Sequence, residues 1–266
     1  MVTRKALFAA VVALTLTVGA APRADAAAVT LPPVNAKFDY QIGAAYTPPA
    51  GVQVVSRDRL AAPAAGLYNI CYVNAFQVQP QEVAWWQANH DDLLLRDSAG
   101  RYVIDGDWNE IVLDIRTAAK RTALAAVVNG WIDGCAAAGF RAVEPDNIDT
   151  YDRFPSYLTK AQAVAYLRLL APHAHAKGLA IAQKNTTGLG GEGKAAGLDF
   201  AIAEECGQYD ECGDFTDVYG DNVIAIEYTS GGYRRACAAI GARSSVVRRD
   251  VNVTAPGSGT YVYNAC

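Results

Sequence analysis

The stretch from Ala142 to Tyr151, AVEPDNIDTY, decides how the rest of the chain is read. A helical pattern ahead of it stops at Gly139, and Pro145 forbids a helix from running through it. An apolar run here must therefore be extended, and alternation puts Ala142, Glu144 and Asp146 on one face with Val143 and Pro145 on the other. Glu144, Asp146 and Asp149, with Asp152 just beyond, crowd carboxylates where a strand meets a loop. Asp and Asn also cap helices and turn chains, so a plain surface loop is the competing reading of this stretch taken alone.

The order of elements around the motif favours the strand. Strand patterns fall at 38–43, 52–56, 67–74, 111–116, 142–147, 179–184, 199–205 and 223–228, with another near 245–250. Helical patterns at 117–138, 159–177, 191–196 and 232–240 separate the later ones. Strands alternating with helices signal a parallel sheet covered by helices, and this many short ones fit a single (β/α)8 TIM-type barrel. The segment between Ser56 and Gly66 is too short and too broken by Pro63 for a helix, so one barrel helix is expected to be missing or reduced.

A barrel strand sends one face to the helices and the other to the axis. On 111–116 the alternation turns Asp114 and Arg116 inward, on 223–228 Ala225 and Glu227, and on 179–184 Ala180, Ala182 and Lys184. In each case the polar group comes last, at the C-terminal mouth where this fold builds its sites. Two carboxylates on different strand ends, one able to give a proton and the other ionised, are the parts needed to hydrolyse a glycosidic bond. Ala201 to Cys206, AIAEEC, offers the second carboxylate as Glu204 or Glu205, and alternation from Asp199 turns Glu205 inward.

Residues 1–26 read as a secretory signal peptide: Arg4 and Lys5, an apolar run from Ala6 to Ala21, and a small-residue site at Ala24-Asp25-Ala26. Residues 27–36 read as a flexible lead-in and 37–266 as one catalytic domain. The chain carries a formal charge of −4, and loss of Arg4, Lys5, Arg23 and Asp25 makes the remainder more acidic. That balance argues against nucleic acid or an anionic membrane as partner and favours cationic or neutral ligands. Six cysteines in an exported chain imply disulfides, and sequence alone leaves every pairing open. The pairing expected here is Cys71 with Cys135, Cys206 with Cys212, and Cys237 with Cys266. No cysteine or histidine spacing suits zinc, so no metal and no cofactor is expected. The run GLGGEGK at 188–194 has a phosphate-loop spacing but is followed by Ala195 where a Ser or Thr is needed, and there is no GxSxG elbow.

Several ordered motifs resemble one family. EPDNID at 144–149, AHAKGLAIAQKN at 174–185, DFAIAEEC at 199–206 and IEY at 226–228 are similar to glycoside hydrolase family 114, the endo-α-1,4-polygalactosaminidases, and YQIG at 40–43 and LDIR at 113–116 agree. The resemblance spans nearly the whole chain after the leader. It implies a TIM barrel that cleaves α-1,4-linked galactosamine and N-acetylgalactosamine polysaccharide, with Asp146 and Glu204 as the catalytic pair. It thus selects Glu204 where periodicity selects Glu205, and a bulge at the strand end is expected to reconcile the two. Gln41, Tyr72, Asp114, Glu144, Asn147, Lys184, Asn185, Glu205, Glu227 and Tyr228 are expected to hold the substrate. Tyr40, Trp85, Trp86 and Trp108 are further aromatic candidates for stacking on sugar. The protein is expected to be an extracellular, monomeric, endo-acting and retaining hydrolase of a cationic or neutral amino-sugar polymer. A polysaccharide-binding barrel without activity, or a glycosidase of different sugar preference, are the rival readings.

Overall fold

The computed structural model describes residues 29–266, so the expected signal peptide lies outside the described residues. In chain order, strands β1 (Phe38–Gln41), β2 (Val54–Asp58) and β3 (Tyr68–Asn74) come first. A small antiparallel sheet follows, made of β4 (Gln77–Val78), β5 (Ile104–Asp105) and β6 (Glu110–Val112), with helix α1 (Val83–Asn89) inside the insertion. Then come α2 (Ala118–Ala138), β7 (Ala142–Asp146), α3 (Thr150–Arg153), α4 (Lys160–Ala176), β8 (Ala180–Lys184), α5 (Gly191–Ala195) and β9 (Phe200–Glu204). The chain finishes with α6 (Cys206–Tyr209), α7 (Cys212–Tyr219), β10 (Val223–Glu227), α8 (Ser230–Ile240), β11 (Ser245–Arg249) and β12 (Tyr263–Ala265). Strands β1, β2, β3, β7, β8, β9, β10 and β11 are parallel neighbours in that order, and β12 adds antiparallel to β11.

This is a TIM-type barrel, with one correction to its strand list. The segment at 111–116 is not a barrel strand: β6 pairs antiparallel with β4 and β5 in the inserted sheet. The place assigned to it belongs to β11, which pairs in parallel with β10. An isolated strand at 111–116 with alternating apolar residues reads alike in either sheet, because alternation reports one buried face and not which partner buries it.

Helix ends follow their local chemistry. Thr117 accepts the Lys120 N–H to start α2, which stops at Gly139 in the left-handed region (φ 96°). Thr159 and Gln162 form a capping box at the start of α4, and Thr229 caps α8. Val143, Ile181, Ala201, Ala203 and Ala225 pack outward against the helices. Phe38, Tyr40, Ile70, Ala142, Ala180, Ala182, Phe200, Ile202, Ile224 and Ile226 fill the barrel interior.

That inner set corrects two inferred phases. On β10 the isoleucines point in and Ala225 points out, so Glu227 faces the helices. On β9, Phe200 and Ile202 point in, so Glu204 follows them to the mouth with no bulge required. On these two strands the alanines lie under the helices and the larger Phe200, Ile202, Ile224 and Ile226 fill the interior, the reverse of the expected phase, whereas on β8 Ala180 and Ala182 face inward as expected.

Among the described residues no helix follows β1 or β2. The connections from β1 to β2 and from β2 to β3 are both loops, one more missing helix than expected. Their outward faces carry Asp39, Gln41 and Arg57, and Arg249 of β11 reaches this group. Arg249 Nη1 donates to Asp39 Oδ1 at 2.8 Å, and both side chains are 0% exposed. Gln41 Nε2 donates to Asp39, Arg57 Nε donates to Gln41 Oε1, and the Tyr46 hydroxyl donates to Asp39. The guanidinium of Arg249 also lies against the rings of Tyr46 and Tyr261.

The described part of the lead-in is anchored: the Tyr68 hydroxyl donates to the Thr30 carbonyl, and Val29 and Leu31 pack on the interior cluster. The disulfides Cys71–Cys135, Cys206–Cys212 and Cys237–Cys266 are all formed, the last tying the C-terminus to α8.

Candidate active site

Three neighbouring strands end on charged groups that meet over the barrel axis. Register sets Tyr72 beside Glu144 and Asn74 beside Asp146 across β3 and β7, while Lys184 closes β8 and Glu204 closes β9. Pairing between β7 and β8 stops at Val143 and Ile181, short of Pro145, which has no N–H to give a ladder. Immediately after these strands the chain turns through left-handed residues, Asn147 (φ 65°), Asn185 (φ 52°) and Glu205 (φ 58°). Asparagine tolerates that conformation well; a glutamate there is strained by roughly 1 kcal/mol or more, so the Glu205 turn is held by its surroundings.

Lys184 is the hub. Its ammonium is 1% exposed and lies 3.1 Å from Glu144 Oε1, 3.1 Å from Asp146 Oδ1 and 3.2 Å from Glu204 Oε2. It also donates to the Tyr40 hydroxyl at 3.0 Å. Burial would depress the Lys184 pKa, but Asp146, Glu204 and Glu144 outweigh it and hold the value well above the usual one.

Asp146 sits under the same balance: burial pushes its carboxyl up, and Lys184, the Tyr72 hydroxyl (2.7 Å) and the Asn147 N–H (2.8 Å) bring it below the usual range. It is therefore ionised at neutral pH. Glu144 goes the other way, raised by burial despite Lys184, with the Tyr40 and Ser56 hydroxyls donating to its two oxygens.

Glu204 receives the Asn185 Nδ2 at 2.9 Å on one oxygen and the Tyr228 hydroxyl on the other. Asn185 also accepts the Glu204 backbone N–H, so this one residue fixes both the main chain and the carboxylate. Burial, reinforced by nearby carboxylates, raises the hydroxyl pKa values of Tyr40, Tyr72 and Tyr228 well above normal, so they remain donors.

Above these groups opens a cavity of about 400 Å³. Tyr72, Asp146, Asn147, Asn185, Glu204 and Tyr228 line it, with Glu144 and Lys184 directly beneath. Eight of the residues named from sequence thus converge. The other four lie elsewhere. Gln41 belongs to the outward network on β1, because the missing helix left that face to polar side chains. Asp114 is held by Arg116 (2.7 Å) and Lys120 ahead of α2, following β6 out of the barrel. Glu205 turns away after Glu204.

Glu227 points at the helices, where its Oε1 accepts the Gly207 N–H at 2.6 Å. A Cβ on Gly232 would collide with its other oxygen, so that carboxylate fits only because position 232 is glycine. Trp86 is core and Trp85 lies outside the cavity, whereas Trp108 stands on its rim.

Sequence reasoning missed Ser56, Asn74, Asp107, Glu110 and Arg153. Asn74 obeys the same last-polar-residue pattern used for other strands and was findable; Glu110, in a three-residue strand of an insertion, carries no such signal. Cys206, Cys212 and Glu227 bring ligand atoms within 4.8 Å of one another, but both sulfurs are spent on a disulfide and offer no thiolate.

Residues 19–266 match the model of glycoside-hydrolase family GH114. Among solved structures, Aspergillus fumigatus Ega3 in complex with galactosamine is 22% identical, with a TM-score of 0.72 over 90% of this chain and 98% of that one. The glycoside hydrolase domain of PelA from Pseudomonas aeruginosa is 13% identical, with a TM-score of 0.55 over 84% of this chain and 97% of that domain. At these identities the likeness shows the shared fold. A search of curated protein sequences found no significant match.

Proposed function

The chain belongs to glycoside-hydrolase family GH114 and is a glycoside hydrolase, and from that premise we propose that it cleaves α-1,4-linked galactosamine and N-acetylgalactosamine polysaccharide internally, outside the cell, with retention of configuration. One observation carries the retaining mechanism. Asp146 and Glu204 both touch the Lys184 ammonium, so their facing oxygens are separated by no more than the sum of two short contacts. Retention needs carboxyl groups about 5 to 5.5 Å apart, whereas inversion needs about 6.5 to 9.5 Å to admit a water.

In this mechanism Asp146 Oδ attacks the anomeric carbon while the bond from that carbon to the leaving oxygen breaks and Glu204 delivers its proton to that oxygen. The glycosyl–Asp146 ester then yields to a water whose proton returns to Glu204. The ionised state of Asp146 supports its role as nucleophile, and Lys184, beneath both, holds them apart and in place. The galactosamine bound to Ega3, together with the acidic lining of this cavity, supports an amino-sugar polymer as substrate. The three disulfides support an oxidising, extracellular location.

The test is release of reducing ends from partially deacetylated α-1,4-galactosaminogalactan, with chitosan as comparison. Wild type is expected to cleave the first, and Asp146→Asn and Glu204→Gln are each expected to lose at least about a thousandfold in kcat. Binding without cleavage by folded wild type would move the protein to the binding-barrel reading.

A further inference from the structure

The side of the cavity formed by the inserted sheet is not used by the hydrolysis just described. Asp107 and Trp108 occupy the turn between β5 and β6, Glu110 opens β6, and all three line the cavity with Asp149. Glu110 is only 9% exposed. Its Oε2 accepts Asn74 Nδ2 at 2.7 Å and Asn147 Nδ2 at 3.4 Å, which fixes the carboxyl against the ends of β3 and β7. Its Oε1 has no hydrogen-bond partner among the described residues.

That oxygen is not shut away among buried atoms, and Glu110 lines the cavity, so a donor entering the cavity can complete a carboxylate whose ionised form burial disfavours. The charged neighbours do not. Asp105 of β5 and Asp146 of β7 repel it. Arg153 of α3 attracts it without touching it, its guanidinium being engaged with Asp105, Asn147 Oδ1 and Asp149. Burial accordingly pushes the Glu110 carboxyl up to about 7, with Asp146 and Asp105 adding to the shift against the Asn74 hydrogen bond. What the site lacks is a cation arriving through the cavity. Beside it the Trp108 ring, 53% exposed, offers a flat apolar face at the rim. A deacetylated hexosamine unit presents both complements, an ammonium and an apolar ring face.

We propose that Glu110, with Asp107 and Trp108, forms a subsite for the protonated amine of a deacetylated sugar unit in the cleft, and that Glu110 sets the preference for deacetylated over N-acetylated polymer. This rests on the amino-sugar polymer reading above. An acetamido group in that place would bring no charge and leave the carboxylate uncompensated. Binding an ammonium favours ionised Glu110, so the preference strengthens as pH rises toward neutrality.

The experiment measures kcat/KM for wild type and Glu110→Gln on heavily and sparsely deacetylated preparations of the same α-1,4-galactosaminogalactan, between about pH 5 and pH 7. Wild type is expected to favour the heavily deacetylated preparation, increasingly so toward pH 7. Glu110→Gln, which keeps an acceptor for Asn74, is expected to reduce that ratio at least about tenfold at pH 7, the worth of one charge-assisted hydrogen bond, and to flatten its pH dependence. Asp107→Asn is expected to shift the ratio the same way by less, and it carries the test if Glu110→Gln does not fold. Activity on both preparations with an unaltered ratio and pH slope in these variants overturns the subsite alone. A folded wild type inactive on both overturns the polymer reading and the subsite with it.

Discussion

The two sides of this barrel bury their outer faces by different means. From β7 to β10 the outward residues are mostly small and apolar, Val143, Ile181, Ala201, Ala203 and Ala225, and helices cover them. On β1 and β2 they are Asp39, Gln41 and Arg57, joined by Arg249 of β11 and covered by loops and tyrosines, with each charge answered by a hydrogen bond. The first side is stabilised by contacts that tolerate gradual change, the second by a network in which losing one partner strands another. Asp146 and Glu204, the pair proposed to be catalytic, rise from the helix-backed side.

Breaking each side's polar centre should separate them. On the helix-backed side Lys184→Met leaves Glu144, Asp146 and Glu204 facing one another without a cation. It is expected to cost about 3 to 5 kcal/mol of stability and most of the activity. Chemical denaturation together with reducing-end release checks both, and wild-type turnover in that variant would remove Lys184 from the account.

On the loop-covered side Arg249→Met strands Asp39 at full burial. A loss of about 3 to 4 kcal/mol in denaturant unfolding is expected, partly recovered in Asp39→Asn/Arg249→Met, with kcat per folded molecule close to wild type. Failure of the second change to recover stability would show that the pair does not act as a unit.

The smallest effect is expected at Glu227, an acid turned toward the helices. Burial raises its carboxyl pKa. The folded protein therefore holds that proton more tightly than the unfolded chain, and the stability this contributes is full below the unfolded carboxylate range and lost as pH rises through the folded value. Glu227→Gln is expected to remove that loss, leaving the variant more stable than wild type by about 1 kcal/mol at pH 8 and nearly equal to it at pH 4. Unfolding midpoints at the two pH values decide this; a variant equally destabilised at both would mean the carboxylate's hydrogen bond to Gly207 matters more than its burial.

The same contrast explains what could be read from the sequence. The helix-backed side was legible because strand and helix alternate there. The motif at 144–147 and Lys184 needed only the rule that a strand's last polar residue reaches the mouth. That rule failed where its premise failed. Gln41 is polar because no helix among the described residues covers β1, Asp114 because its strand belongs to another sheet, and Glu227 because Gly232 leaves room for it and the Gly207 N–H donates to it. In none of these is polarity a sign of the cleft. Glu204 was reached through family resemblance, since the alanines around it misled the phase. Glu110 was beyond reach: its importance arises from Asn74 and Asn147, distant in sequence, converging on it in space.

The central claim is that Asp146 and Glu204 stand close enough for a covalent glycosyl intermediate on Asp146. NMR of the first product formed from an α-linked galactosamine oligomer, recorded before mutarotation, tests it most directly. The account expects the α-anomer; the β-anomer would mean a single displacement by water and would contradict the assignment of Asp146 as nucleophile.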